Sequence, residues 1–86
     1  MKQLFRTDRF KKEYKGLPEE IKGRADKTLE LLPTHPRHPS LQTKKMEGAP
    51  DIWEARVSDN YRITFQFVQE GIVLRRIGTH NVLRKP

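Results

Sequence analysis

Two stretches of the chain, Ile52 to Val57 and Tyr61 to Gln69, alternate apolar with polar residues at a period of two, and Ser58-Asp59-Asn60 between them is turn chemistry. No other feature constrains the fold as tightly, because a three-residue hairpin loop fixes every cross-strand pair. Trp53 is set against Phe65, Ala55 against Ile63 and Val57 against Tyr61, which gathers the large apolar side chains on one face. The other face carries Glu54 across from Thr64 and Arg56 across from Arg62. Like charges directly opposed on a strand pair cost roughly a few tenths to 1 kcal/mol. An anion bound between them would offset that cost.

A third strand follows from a two-residue turn at Glu70-Gly71, which sets Ile72 against Gln69 and Leu74 against Phe67. Arg75 and Arg76 then interrupt the apolar alternation, and Ile77 rejoins the core opposite Phe65 if one residue bulges out. Beyond the bulge, Thr79 opposes Ile63 and His80 opposes Arg62. Arg56, Arg62 and His80 thus come together on the outer face, and crowded ionisable groups of this kind mark functional sites.

The remaining elements are read from caps and periodicity. Lys2 to Arg6 is a short strand. Thr7 or Asp8 caps a helix running to about Lys15, with Phe10, Tyr14 and Leu17 on one stripe and Gly16 as its stop. Pro18 opens a second helix, followed by Glu19 and Glu20 at the positive end of its dipole. Ile21, Ala25, Leu29 and Leu32 recur along that helix at a spacing that lays them on the sheet. Pro33, Pro36 and Pro39 make the next segment an extended connection. The order β-α-α-β-β-β describes an α+β fold, an antiparallel sheet packed on two N-terminal helices.

At 86 residues the chain is expected to form one domain over 1–86, with a core drawn from about a third of its side chains. Eighteen Lys and Arg against eleven Asp and Glu give a formal charge of +7, so polyanionic partners are expected. Residues 71–86 contain Arg75, Arg76, Arg84 and Lys85 and no acid. The absence of cysteine excludes disulfides and thiolate metal sites and fits a cytoplasmic location. No segment has the apolar length of a secretory signal or a membrane span. His35 and His38 are spaced like a metal pair, but Pro36 breaks the helix such a pair requires and no third ligand is near, so no metal or other cofactor is expected. Glycine-rich phosphate loops and serine triads are absent as well. Trp53, on the apolar face, reads as core rather than as a base-stacking platform.

The element order, the helix ending in Leu31-Leu32-Pro33, the stretch Lys44-Lys45-Met46-Glu47-Gly48, the strand Asn60-Tyr61-Arg62-Ile63-Thr64-Phe65 and the closing Gly78-Thr79-His80 together resemble the RelE/ParE superfamily of bacterial toxins from toxin–antitoxin operons. The resemblance covers essentially the whole chain. It is closer to the RelE and YafQ-like messenger RNA endonucleases than to the gyrase-poisoning ParE branch, because the ribonucleases keep a basic residue at the Arg62 position and a histidine or arginine at the His80 position.

What the resemblance implies is cleavage of messenger RNA in the ribosomal A site, without metal, by attack of a ribose 2′-hydroxyl on the adjacent phosphate. Such a reaction needs a base, an acid and fixed positive charge for the phosphorane. Arg62, with Arg56 beside it, suits the charge role. His80 suits the acid, since imidazole exchanges its proton around neutral pH. Lys44 occupies the place where the YafQ-like branch has a histidine and is the candidate base, with Glu54 and His38 as rivals. Lys44 and Lys45 read equally well as cations gripping phosphate, and Glu54 as a neutralising partner of Arg56. Lys45, Arg76, Arg84 and Glu54 complete the expected RNA-binding set. Many of these ribonucleases carry an aromatic residue a few positions beyond the His80 equivalent, whereas the tail here, Asn81 to Pro86, offers only the Arg84 guanidinium for stacking.

The implied partners are a cognate antitoxin, whose acidic, partly helical segment would cover the basic face and the helices, and the ribosome with its message. The alternative is a non-cleaving module with the same fold and antitoxin partnership, binding gyrase or nucleic acid.

Overall fold

The computed structural model describes residues 3 to 86. The chain runs through β1 (Gln3–Arg6), α1 (Asp8–Lys15), α2 (Glu19–Leu31), a 3₁₀ turn (Pro39–Leu41), β2 (Lys44–Lys45), β3 (Trp53–Arg56), β4 (Tyr61–Val68), β5 (Gly71–Thr79) and a second 3₁₀ turn (His80–Leu83). The expected start of the first strand, Lys2, lies outside the described residues. The five strands form one sheet in the order β1-β5-β4-β3-β2. The α+β architecture follows the expected element order, with the two-residue β2 added at one edge. The sheet is mixed, since β1 pairs parallel to β5 while the other pairs are antiparallel. Joining parallel neighbours requires a crossover, and the helices together with the β2–β4 meander provide it.

Local chemistry sets the helix ends. Thr7 is the N-cap of α1, its Oγ1 accepting from Phe10 N at 3.1 Å. The same hydroxyl shares its proton between the carbonyls of Leu74 (2.9 Å) and Arg75 (3.0 Å), so one side chain both starts the helix and ties it to β5. A threonine cap is worth about 1 kcal/mol before that second tie is counted. Gly16 closes α1, its N–H donating to Glu13 O at 3.2 Å. Phe10, Leu17, Ala25, Leu29 and Leu32 then pack on Ala55, Ile63, Phe65, Ile72, Leu74 and Ile77 of the sheet. Full burial of each large apolar chain contributes about 1.5–3 kcal/mol, which makes this layer the main source of stability.

The proline-rich connection is not extended. His35 N donates to Leu31 O at 2.6 Å and His38 N to His35 O at 3.0 Å, and the segment ends in the 3₁₀ turn that buries Leu41. The φ that proline imposes suits turns as well as extended chain, and a buried leucine at the end of the segment selects the folded option.

The β3–β4 register is the one read from the alternation: Trp53 pairs with Phe65, Glu54 with Thr64, Ala55 with Ile63 and Arg56 with Arg62. The β4–β5 register differs. Val68 pairs with Gly71 and Phe67 with Ile72, which puts the turn at Gln69-Glu70 rather than Glu70-Gly71. Gly71 has to lie inside the strand because the backbone of Gln3 passes against it; a Cβ there would stand 2.0 Å from Gln3 O. The bulge exists, with Phe65 opposite Leu74 and Thr64 opposite Arg76, so Arg75 is the extra residue. The offset is carried past the bulge. Ile77 faces Ile63 instead of Phe65, and Gly78 faces Arg62 where His80 was expected.

The outer face is partly roofed. Val82 of the C-terminal 3₁₀ turn is buried above Gly78, and Thr64 Oγ1 donates to Pro86 O at 3.2 Å. Among the described residues, no helix is long and apolar enough to cross a membrane.

Candidate functional site

Arg56 and Arg62 stand side by side on the outer face, as the hairpin register requires. Their like charges are offset from within the chain. Arg56 Nη2 pairs with Asp59 Oδ1 in the hairpin loop. Arg62 Nη1 donates to the carbonyls of Ser58 (2.6 Å), Tyr61 (3.0 Å) and Asp59 (3.3 Å), and its Nε lies 3.9 Å from Glu54 Oε1. An external anion is therefore not needed to explain the pair. Glu54 approaches Arg62 rather than the expected Arg56, which has taken Asp59 instead.

Both guanidiniums keep donors in reserve. Arg62 Nη2 and Arg56 Nε and Nη1 have no hydrogen bond or ion pair among the described residues. The Arg62 side chain is 16% exposed, held by three carbonyls in a fixed orientation. A planar guanidinium immobilised on one side with a free amino group on the other suits a phosphoryl oxygen, since little ordering entropy remains to be lost on binding.

His80 does not share a strand pair with Arg62. It leaves the sheet as the first residue of the 3₁₀ turn, exposed, just past Thr79, which pairs with Tyr61. It sits at the same end of β4 and β5 as Arg62, displaced from the expected position by the offset register. Lys44 pairs with Glu54 across β2 and β3, and these two line a hollow with Lys45, Met46 and Glu47. Lys44 and Lys45 are exposed, and Glu54 is buried. One row across the sheet thus reads Lys44, Glu54, Thr64, Arg76.

Arg76 is committed elsewhere. Its Nη2 lies 2.6 Å and its Nε 3.1 Å from Glu13 Oε2, and Nη1 donates to Lys85 O at 3.1 Å. Arg84 is exposed in the tail. His38 caps the 3₁₀ turn it precedes, its Nδ1 accepting from Ser40 N at 3.2 Å. Trp53 is half-buried, edge-on to Phe67 at 5.4 Å between centroids, with the Arg37 guanidinium 4.7 Å above its ring, so it belongs to the core margin. Among the described residues, no group of three or more His, Cys, Asp or Glu is placed to hold a metal ion.

The sequence does not show that Asp59 and Glu13 pair with arginines or that Gly78 faces Arg62. Asp59 reads as ordinary turn chemistry, and Glu13 lies on a helix 63 positions from the arginine it binds. Neither carries a local signal. Among the described residues, the one displaced pKa lies outside the site. Tyr14 is raised above its ordinary 10.0, mainly by its hydrogen bond to Asp26 (2.6 Å), then by desolvation and nearby carboxylates.

Residues 4–83 match the family described as the ParE toxin of type II toxin–antitoxin systems. Solved structures agree on the fold. YafQ from E. coli superposes with a TM-score of 0.80 at 15% identity, covering 96% of this chain and 98% of that one. The E. coli DinJ–YafQ toxin–antitoxin complex gives 0.79 at 16% identity, covering 95% and 96%. The RelB–RelE antitoxin–toxin complex from Methanococcus jannaschii gives 0.75 at 22% identity, covering 93% and 94%. No curated protein matches the sequence.

Proposed function

The chain belongs to the ParE toxin family of type II toxin–antitoxin systems, and we propose that it acts as a ribosome-dependent endoribonuclease that cuts messenger RNA by metal-free attack of a ribose 2′-hydroxyl on the adjacent phosphate. The observation that carries this reading is the paired Arg56 and Arg62 on the outer face, with Arg62 clamped by three carbonyls while its Nη2 stays available. In the proposed reaction the 2′-oxygen forms a bond to phosphorus and the bond to the 5′-oxygen breaks. The 2′-hydroxyl proton goes to a base and the departing 5′-oxygen takes one from an acid. Arg62 and Arg56 stabilise the charge on the phosphorane oxygens. His80, exposed at the same end of the sheet, supplies the proton to the leaving group. Lys44, exposed beside Glu54, is assigned the base, and Lys45 and Arg84 hold flanking phosphates. Arg76 is withdrawn by Glu13 and contributes through the shape of the site.

A cognate antitoxin is the proposed protein partner, in line with the complexes that share the fold. The toxin would act in the cytoplasm, where translated messages are. The family match to ParE also supports a second reading, a gyrase-directed toxin with no cleavage.

Primer extension on a translated message after brief induction separates the two. Wild type is expected to leave discrete cuts, and Arg62→Lys to lose them, because lysine cannot reproduce the planar fork although it keeps the charge. Growth arrest unchanged by Arg62→Lys and His80→Ala together would eliminate the ribonuclease, and a supercoiling assay would then test gyrase.

A further inference from the structure

A groove of about 460 Å³ crosses the outer face beyond the arginine pair, lined by Thr7, Arg9, Ile52, Arg75, Arg76, Lys85 and Pro86. Four of these side chains are cationic and none is a carboxylate. Arg76 is neutralised by Glu13, and Arg75 is tethered by Gln66 Oε1 at 2.9 Å and Pro86 O at 3.0 Å. The side chains of Arg9 and Lys85, both exposed, have no hydrogen bond or ion pair among the described residues.

The same face carries the exposed large apolar side chains Phe5 (39%) and Val68 (38%). Leu4 packs on the core, so the alternation turns Phe5 outward, two residues before Thr7 at the groove wall. Phe5 pairs with Val73, which pairs with Gln66, the residue that holds Arg75. An exposed aromatic thus shares the sheet face of a groove that holds two unpaired cations, two residues along β1 from the groove wall at Thr7. That combination is what single-stranded nucleic acid requires, phosphates on the cations and a base on the ring.

We propose that this groove holds the single-stranded RNA flanking the cut phosphate, with Arg9 and Lys85 on consecutive phosphates and Phe5 stacking on a base. The assignment rests on the endoribonuclease reading. An acidic protein segment is the competing occupant; RNA is favoured because its regular alternation of phosphate and base engages cations and ring together.

The test is fluorescence anisotropy with a short 2′-O-methylated single-stranded RNA, whose blocked nucleophile keeps it intact, over a range of salt. Losing two phosphate contacts in Arg9→Gln/Lys85→Gln is expected to reduce the slope of log affinity against log salt by about 1.4. Phe5→Leu, which keeps apolar bulk, is expected to weaken binding at least about fivefold with the slope unchanged. Circular dichroism confirms folding of each variant. Unchanged slope and affinity in these variants would overturn the groove, and Arg62→Lys abolishing cleavage alongside that result would leave the nuclease standing. Conversely, a wild type that cuts no translated message, with RNA affinity still dependent on Arg9, Lys85 and Phe5, would remove the nuclease and keep the groove. Lost affinity for a glutamate-rich peptide with RNA affinity intact would make it a protein-docking surface and overturn the proposal.

Discussion

Replacing Gly78 with alanine probes how the last 3₁₀ turn, which begins with His80, is held on the sheet. Gly78 faces Arg62 across the strands and lies under Val82, which is 2% exposed. A Cβ at position 78 would stand 2.8 Å from Val82 Cγ1, about 0.6 Å inside the 3.4 Å where ordinary contact begins. Valine has few rotamers to escape into, so the turn must lift off the strand. Overpacking of this kind costs about 1–3 kcal/mol. Against it stands a gain of about 0.5–1 kcal/mol from replacing glycine in a strand, so Gly78→Ala is expected to lose about 0–2.5 kcal/mol net. Val82→Ala alone removes two buried methyl-sized groups and is expected to cost about 1.6 kcal/mol. The double variant lacks the clashing methyl. It should therefore be more stable than the sum of the single losses by about 1 kcal/mol or more. Urea unfolding followed through Trp53 fluorescence measures all three. Additivity within about 0.5 kcal/mol, or a Gly78→Ala protein more stable than wild type, would refute the contact and with it the account of how His80 is placed.

Glu13→Gln keeps an acceptor for Ile77 N (3.3 Å) but loses the charge-assisted bonds to Arg76, so a loss of about 1–3 kcal/mol is expected in the same assay; an unchanged midpoint would show that the pair contributes nothing. Tyr14 has a raised pKa when folded, so its bond to Asp26 contributes stability that is fully present below the unfolded value near 10.0 and is lost as pH rises through the folded value. The stability difference between wild type and Tyr14→Phe should accordingly hold steady up to about pH 10.0 and shrink from there as pH rises through the folded value. A difference that widens with alkalinity would sink this reading.

The hairpin shows how much a short sequence can settle. The alternation through Trp53, Ala55 and Val57 and its mirror in Tyr61, Ile63 and Phe65, together with a three-residue loop, leave one register that buries the apolar set, and the structure has that register. The ends of α1 were equally legible, because Thr7 and Gly16 satisfy backbone groups within four residues of themselves.

Tertiary structure decided where contacts cross the chain. Nothing around Glu70 and Gly71 tells that Gln3 will press its backbone against residue 71, yet that approach moved the turn back by one residue and carried Gly78, not His80, opposite Arg62. The partners of the arginines were hidden in the same way. Asp59 is near in sequence but was already explained as a turn residue, and Glu13 reaches Arg76 from a helix 63 positions away. Periodicity and capping are local fields that a chain carries in its own order of residues, so they fix elements and faces. The β4–β5 register, and the choice of carboxylate for each guanidinium, depend on which distant segments come together, and only the folded sheet decides that.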